Sequence, residues 1–285
     1  MKGCVVYEAP STHGETQRVR RLMCTNDSAE ADVESGMIQA RDRLIFALDI
    51  PTLDEAEHYI ALLSPQISTF KIGLELQMAA GSAWIASLSK RGVKIFLDYK
   101  YFDIDETVRR AVAQAVAAGV CFLTVQGYEK VVRAAVSGRP PSSRAQILAV
   151  TVLTSLDVND MERMGFPCAV EEVVLHRAKL AYAAGCDGVV ASAQEANTLR
   201  TQIRPLPARA PLLIITPGIR PAGSYEADQK RTSTPREAIL AGADYLVVGR
   251  PIRDAVSPQE ATTKILHEMQ QAFDQRMNRV EDVLS

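Results

Sequence analysis

The sequence lacks any apolar run close to the roughly 20 residues that a helix needs to span a bilayer. Its first 40 residues also lack the apolar segment of a secretory signal. With a formal net charge of -2, the 285-residue chain has no general electrostatic attraction for nucleic acid or for an anionic membrane surface. We therefore expect no nucleic-acid partner and no membrane partner, and charged groups that bind a ligand should form a local cluster.

Clusters of cysteine are missing as well. The five cysteines are odd in number and widely spaced, and they form no CxxC pair or Cys/His group with the spacing of a zinc site. We therefore predict no metal site. Scattered thiols in a chain of this length are typical of a reducing compartment, so we expect a cytoplasmic protein.

The chain divides into a short N-terminal extension, residues 1–42, and a longer domain, residues 43–280. The extension has mixed charges and no sustained hydrophobic period, so we predict that it is disordered or loosely docked. In the longer domain, short apolar runs alternate with segments of helical period. The apolar runs are Leu44–Leu48, Thr69–Ile72, Val93–Leu97, Cys121–Val125, Ile147–Val152, Gly188–Ala191, Leu212–Thr216 and Tyr245–Val248.

Apolar strands that alternate with helices predict an α/β fold with a parallel sheet covered by helices. Eight such units favour a closed (β/α)8 barrel, a TIM barrel, in a single domain over an open doubly wound sheet. No GxGxxG motif follows the first run, which further disfavours a dinucleotide-binding fold. Helices are predicted at Leu53–Leu63, Ala80–Lys90, Thr107–Ala118, Glu171–Ala184, Pro235–Ala241 and Pro258–Met277, with C-terminal caps at Gly92, Gly119, Gly185 and Gly242.

Polar residues follow many of the apolar runs, at the strand ends where active sites of such barrels lie. These positions hold carboxylates, lysines, hydroxyls and arginines: Asp49, Lys71, Asp98, Lys100, Asp103, Thr154, Ser155, Arg220 and Arg250. Any one of them could be a surface or capping residue, and Asp98 with Lys100 could be a structural ion pair. Their shared position on one predicted rim favours a catalytic array of carboxylates and ammonium groups.

The last two predicted strands are followed by glycine and arginine, as Gly218 with Arg220 and as Gly249 with Arg250. Loops at these two positions of a barrel often bind phosphate, since glycine exposes backbone N–H groups and arginine matches the phosphate oxygens. The polar loop 221–234 is interpreted either as a flap that folds over a ligand or as a solvated surface loop. A phosphorylated small substrate is the interpretation that we favour.

Short motifs run in order over residues 43–275. They are Ala47-Leu48-Asp49, Phe70-Lys71-Ile72-Gly73, Phe96–Ile104, Val150–Ser155, Asp187–Val190, Thr216–Pro221, Asp228–Arg231 and Gly242–Pro251. Together they resemble the motifs of the orotidine 5′-phosphate decarboxylase family of the bacterial type. The pattern Asp-x-Lys-x-x-Asp alone also occurs in related barrel decarboxylases and aldolases, whereas the Thr-Pro-Gly-Ile-Arg, Val-Gly-Arg-Pro and Asp-Gln-Lys-Arg segments are far more specific.

The resemblance implies an enzyme that converts orotidine 5′-phosphate to UMP and CO2, the last step of de novo pyrimidine synthesis, without a metal or an organic cofactor. It implies a homodimer in which Lys71, Asp98 and Lys100 of one subunit work with Asp103 of the other. Lys100 would protonate the C6 carbanion that remains when CO2 leaves. The expected substrate contacts are Asp49 and Lys71 at the ribose, Thr154 and Ser155 at the pyrimidine, Arg220, Gln229, Gly249 and Arg250 at the phosphate, and also Thr107 and Pro217.

The sequence departs from the family pattern just after the central motif. Phe102 stands in place of a histidine, Asp105 and Glu106 replace Pro-Asn, and Gln126 replaces the histidine of a Val-His-Ala segment. We expect the two acids to cap the following helix and activity to survive. Two alternatives stay open: a related barrel decarboxylase or isomerase that acts on a sugar phosphate, and a nucleotide-binding paralogue without turnover.

Overall fold

The computed structural model describes residues 39–207, 209–221 and 232–284. It contains a closed parallel barrel of eight strands in sequence order, which confirms the predicted (β/α)8 class. The strands are β1 Leu44–Leu48, β2 Thr69–Ile72, β3 Lys94–Tyr101, β4 Phe122–Gln126, β5 Gln146–Val150, β6 Gly188–Val190, β7 Leu213–Thr216 and β8 Tyr245–Val248. The proposed extension lies almost entirely outside the described residues.

Helices cover the outside of the barrel. They are α1 Leu53–Leu63, α2 Leu74–Lys90, α3 Asp105–Ala117, α4 Glu129–Gly138, α5 Val158–Arg163, α6 Val170–Ala183, α7 Ala193–Gln202, α8 Pro235–Ala241, α9 Arg250–Arg253 and α10 Pro258–Leu284. No helix within the described ranges is long and apolar enough to cross a membrane.

The barrel is filled by side chains, so its interior is a packed core and not a channel. Phe122 lies near its centre, with its ring centroid 6.0 Å from that of Phe96 on β3 and 5.3 Å from that of Tyr245 on β8. These aromatic contacts are edge-on, the arrangement that the charge distribution of the rings favours. The filled interior leaves the carboxyl ends of the strands as the place where a ligand can enter.

Local sequence signals explain where several helices begin and end. The Thr234 hydroxyl accepts from the backbone N–H of Glu237, whose side chain accepts from the N–H of Thr234, so a capping box begins α8. Gly242 ends the same helix with φ of 116°, a conformation that only glycine adopts without strain. The predicted caps at Gly92, Gly119 and Gly185 also have positive φ, between 84° and 108°.

Several element boundaries differ from the prediction, and two of the differences lie next to residues of the predicted site. Strand β3 continues four residues past Leu97, through a register shift against β4 between Leu97 and Tyr101. Helix α2 begins at Leu74, ahead of the predicted Ala80, and it is interrupted at Gly81 with φ of 73°. The break at Gly81 hides the first turns of this helix from a search for helical period.

The cysteines follow the expectation of free thiols only in part. Cys168 and Cys186 are free, and Cys186 is fully buried, which raises the pKa of its thiol to about 12. Cys121, by contrast, is disulfide-bonded. The expectation that the cysteines are all thiols is therefore wrong at Cys121.

Candidate active site

A cavity of about 470 Å³ opens at the carboxyl ends of the strands. The structure brings many of the predicted site residues together around it, namely Asp49, Lys71, Asp98, Lys100, Thr154, Pro217, Arg220, Gly249 and Arg250. Between these polar groups lie apolar side chains from the strands, including Val150, Val190 and Val247. The cavity therefore offers a partly apolar wall with charged groups at defined points, as small-molecule sites commonly do.

The charged groups on β1, β2 and β3 form one continuous chain. Lys71 donates to Asp49 across 2.7 Å, and its Nζ lies 3.6 Å from the Asp98 carboxylate. Lys100 donates to the other oxygen of Asp98 across 2.8 Å. Carboxylate and ammonium groups thus alternate in the order Asp49, Lys71, Asp98, Lys100.

This alternation explains why so many charges are tolerated in a small volume. Lys71 is 7% exposed, and an ammonium group this buried is costly unless it is paired. Burial alone would raise the pKa of Asp98, but Lys71, Lys100 and a hydrogen bond from Thr124 outweigh it, so the pKa lies below its ordinary value. Asp98 is consequently a carboxylate at neutral pH.

The segment that carries Asp98 and Lys100 is not a regular strand. Lys100 has φ of 49° and is, within the described ranges, the one residue other than glycine with positive φ. Such a backbone costs energy in a lysine and tends to occur where function requires it. The segment therefore departs from regular strand geometry, and Asp98 and Lys100 both line the cavity.

Opposite this array lies the segment that follows β7. In a closed barrel of eight strands in sequence order, β7 is directly across from β3. Gly218 has φ of 79°, and the backbone N–H of Arg220 donates to the carbonyl of Ser233 across 2.9 Å. The two ends of the loop 221–234 are therefore joined next to the cavity. Residues 222–231 of that loop, with the predicted phosphate ligand Gln229, lie outside the described residues.

Gly249 and Arg250 lie at the start of the short helix α9, after β8. A Cβ atom at residue 249 would be 3.4 Å from the Cβ of Ala47 and 3.8 Å from an Asp49 carboxylate oxygen. The backbone here therefore approaches β1 closely. Arg220 and Arg250 both line the cavity, so two cationic residues border this side of it.

The structure adds two charged residues that the sequence did not single out. Arg253 lines the cavity, and it donates to the carbonyl of Asp49 across 2.8 Å. Glu75, in the first turn of α2, also lines it. Arg253 could have been found from its position one helical turn after Arg250. Glu75 could not, because the beginning of α2 was missed.

Three predicted residues do not line the cavity of a single chain. Asp103, Thr107 and Ser155 are all exposed. The Asp103 carboxylate accepts from the backbone N–H of Ile104 across 2.7 Å. These three side chains are therefore open to solvent in a single chain.

The replacements after the central motif take structural roles of their own. Phe102 is 64% exposed and stacks on Tyr128, with ring centroids 5.1 Å apart. The Arg177 guanidinium covers the Tyr128 ring at 4.8 Å and donates to the carbonyl of Thr151 across 2.7 Å. An aromatic surface beside the cavity therefore stands where the family pattern has a histidine.

Asp105 and Glu106 lie in the first turn of α3, where acids favour the helix dipole. Glu106 binds Arg109 with two hydrogen bonds of 2.7 Å, which lowers the pKa of its carboxyl group. The residue at the N-cap is Ile104, and no side chain caps the helix. The expectation that Asp105 and Glu106 cap this helix is wrong, although their charges are well placed.

Fold and site together define a class of protein, a (β/α)8-barrel enzyme. Its alternating carboxylates and lysines lie at the carboxyl ends of β1, β2 and β3, and glycine and arginine follow β7 and β8. A sequence model of the orotidine 5′-phosphate decarboxylase / HUMPS family matches residues 42–265. The chain belongs to this family.

Individual relatives agree with this assignment. The chain is 48% identical over 234 residues to an orotidine 5′-phosphate decarboxylase of Nitrobacter winogradskyi, with 82% of this chain and 95% of the relative covered. It is 44% identical to one of Methylococcus capsulatus, covering 83% and 95%. The fold is similar to a crystal structure of orotidine 5′-phosphate decarboxylase from Lactobacillus acidophilus, with a TM-score of 0.67, 33% identity, and coverage of 80% and 99%.

Proposed function

We propose that the protein decarboxylates orotidine 5′-phosphate to UMP and CO2, the last step of de novo UMP synthesis. The observation that carries the proposal is the alternating chain Asp49–Lys71–Asp98–Lys100, across the barrel from Arg220 in a cavity of about 470 Å³. A nucleoside monophosphate with a charged base has two anionic ends, and the cavity offers cations on both of its sides.

The chemistry follows from the charges around Asp98. The bond from C6 to the carboxyl carbon breaks, its electron pair stays on C6, and CO2 leaves. Lys100 supplies positive charge as the carbanion forms and then transfers its proton to C6. Asp98 accepts a 2.8 Å hydrogen bond from Lys100, which fixes the position of the ammonium group at the cavity.

Asp98 also lies where the substrate carboxylate would approach the array. Two neighbouring carboxylates repel each other, and this repulsion is relieved when CO2 departs. Phosphate binding by Arg220, Arg250 and the Gly249 amide would hold the substrate against this repulsion. Thr154, which lines the cavity, would contact the pyrimidine, and Pro217, which also lines it, would contact the substrate.

The reaction as written needs no metal and no organic cofactor. Each carboxylate of the array already has an ammonium partner, Asp49 with Lys71 and Asp98 with Lys100. This arrangement favours the decarboxylase over a metal-dependent enzyme that acts on a sugar phosphate, because a metal would have to displace those lysines.

We further propose that the working enzyme is a cytoplasmic homodimer. Phe102 and Ile104 are 64% and 73% exposed, and Tyr128 on the neighbouring loop is 42% exposed. Because β3 and β4 are adjacent, the loops after them form one apolar surface at the rim of the cavity. A second copy seated on this surface would bring its own Asp103 and Thr107 towards the site.

A single assay tests the proposed activity. Purified protein is treated with a chelator and mixed with orotidine 5′-phosphate, and the ultraviolet absorbance of the pyrimidine is followed. We expect complete conversion to UMP, unaffected by the chelator. Tight UMP binding without turnover would instead identify a nucleotide-binding paralogue, and turnover that the chelator abolishes would identify a metal-dependent enzyme.

A further inference from the structure

The register shift in β3 places several residues opposite a single residue of β4. Leu97 pairs with Leu123 and Tyr101 pairs with Val125, so that residues 98–100 all face Thr124. A bulge of this kind frees backbone N–H groups from the ladder of hydrogen bonds between the strands. Those groups must find other partners, because an unpaired N–H in a barrel wall is costly.

Thr124 supplies such a partner with its side chain. The backbone N–H of Lys100 donates to the Thr124 hydroxyl across 2.9 Å. The same hydroxyl donates to the Asp98 carboxylate across 3.0 Å, at the oxygen that also accepts from Lys100 Nζ. Thr124 is fully buried, so these bonds are shielded from water.

Through these contacts Thr124 acts on both unusual features of the segment, the positive φ of Lys100 and the carboxylate of Asp98 that two lysines share. The bond to the Lys100 N–H holds the backbone at the residue where φ is 49°. The bond to Asp98 fixes the plane of its carboxylate, with one oxygen towards Lys100 and the other towards Lys71 at 3.6 Å. One hydroxyl thus acts on the main chain of Lys100 and on the side chain that orients its ammonium group.

We propose that Thr124 is a positioning residue of the reaction, which closes the β3 bulge and fixes Asp98 and Lys100 relative to each other. It touches neither the cavity nor a substrate, and it acts through these two side chains. The role rests on the proposed decarboxylation for its effect on rate, whereas its effect on Asp98 can be measured without any substrate.

The key variant is Thr124→Val, which keeps the shape of the side chain and removes the hydroxyl. The N–H of Lys100 then loses its partner and Asp98 loses a donor. Because small displacements of reacting groups can cost up to about a hundredfold in rate, we expect kcat to fall by about tenfold to a hundredfold with KM little changed. Thr124→Ser keeps the hydroxyl and should recover most of the rate.

Thr69→Val is the matched control. Thr69 is a buried threonine on β2, and its hydroxyl has no hydrogen-bond partner within the described ranges. Removing that hydroxyl should leave kcat unchanged. If Thr124→Val did not fold, Thr124→Cys would take its place, because a thiol is a weak hydrogen-bonding group of similar size.

A second measurement follows the Asp98 carboxyl group by 13C NMR during an acid titration of the substrate-free protein. In Thr124→Val, Asp98 still faces the ammonium groups of Lys71 on β2 and Lys100 on β3. It should therefore stay a carboxylate at neutral pH. Losing the hydrogen bond disfavours the charged form, so its pKa should rise in Thr124→Val and not in Thr69→Val.

The rate measurements and the titration distinguish a failure of the proposed decarboxylation from a failure of the proposed role of Thr124. No turnover by the unaltered protein would overturn the proposed decarboxylation, and the NMR titration would still decide the role of Thr124. An unchanged titration of Asp98 in Thr124→Val would overturn that role. So would a kcat within about twofold of the unaltered enzyme, or an equal loss of rate in Thr124→Ser, which would indicate packing alone.

Discussion

At the scale of single residues, the site depends on one carboxylate shared between two lysines. Asp98 is within 2.8 Å of Lys100 and 3.6 Å of Lys71, and both ammonium groups keep it ionised. The two lysines are nevertheless in different situations. Lys71 also has Asp49 at 2.7 Å and is nearly buried, whereas the side chain of Lys100 is 31% exposed. This contrast suggests that Lys100 is the group free to give up a proton.

Lys100→Ala should therefore abolish turnover while nucleotide binding is largely kept, because the phosphate and ribose contacts come from other strands. We expect kcat to fall by at least about a thousandfold, the combined contribution of a proton donor and an electrostatic stabiliser. UMP affinity, measured by calorimetry, should change by less than about tenfold. Near-normal turnover in this variant would show that another group is the proton donor.

At the scale of secondary-structure elements, the end of α8 is joined to α7 by a hydrogen bond from Arg200 to the Gly242 carbonyl. Gly242 ends α8 in the left-handed conformation, and a Cβ there would lie 2.7 Å from the Cγ of Arg200. Arg200 cannot easily move away, since it donates to the Gly242 carbonyl and is ion-paired with Asp244, the residue before β8. A substitution at Gly242 should therefore disturb more than the backbone.

Gly242→Ala should destabilise the protein more than Gly165→Ala. Gly165 also has a positive φ, 85°, but an added Cβ would meet nothing within 4 Å, so this variant gives the cost of a positive φ without a steric contact. That cost is about 1–2 kcal/mol, and the displaced Arg200 should add roughly another 1 kcal/mol at Gly242. Urea unfolding followed by circular dichroism measures both, and equal midpoints would mean that Arg200 adapts freely.

The same elements show what could be predicted from the sequence. Five elements have the predicted bounds, namely strands β1, β2 and β8 and helices α1 and α8. In each of them a regular hydrophobic pattern begins and ends at turn or cap residues. The bulge in β3 could not be predicted, since it depends on pairing with β4 and leaves no local pattern. Thr124 was missed because its role depends on the same pairing. A single threonine in an apolar strand is an ordinary β-branched residue and gives no sign of a special role.

At the scale of the whole molecule, one chain leaves its site open at the rim. Most of the charged residues around the cavity were predicted from their positions at strand ends, whereas Glu75 and Arg253, which lie on helices, were not. Asp103 and Thr107 lie outside the cavity next to the exposed Phe102 and Ile104. In the proposed homodimer, these side chains would lie towards the site of the partner. A two-fold dimer would place each Asp103 beside the partner's array.

Mixing subunits tests this arrangement directly. Asp98→Ala and Asp103→Ala proteins should each be nearly inactive alone. Hybrid dimers would carry one site with both changes and one intact site, formed by Asp98 of one subunit and Asp103 of the other. Random exchange makes about half of the dimers hybrids, so about a quarter of the unaltered activity should return.

The matched control mixes Asp98→Ala with Lys100→Ala subunits, whose changes affect the same half of the site. Each hybrid site then lacks one of the two groups that donate and orient the proton, so no activity should return. Recovery in the first mixture and none in the second requires Asp103 to act across the subunit boundary. If Asp103 served its own chain, neither mixture would recover, because each hybrid site would again contain one alanine.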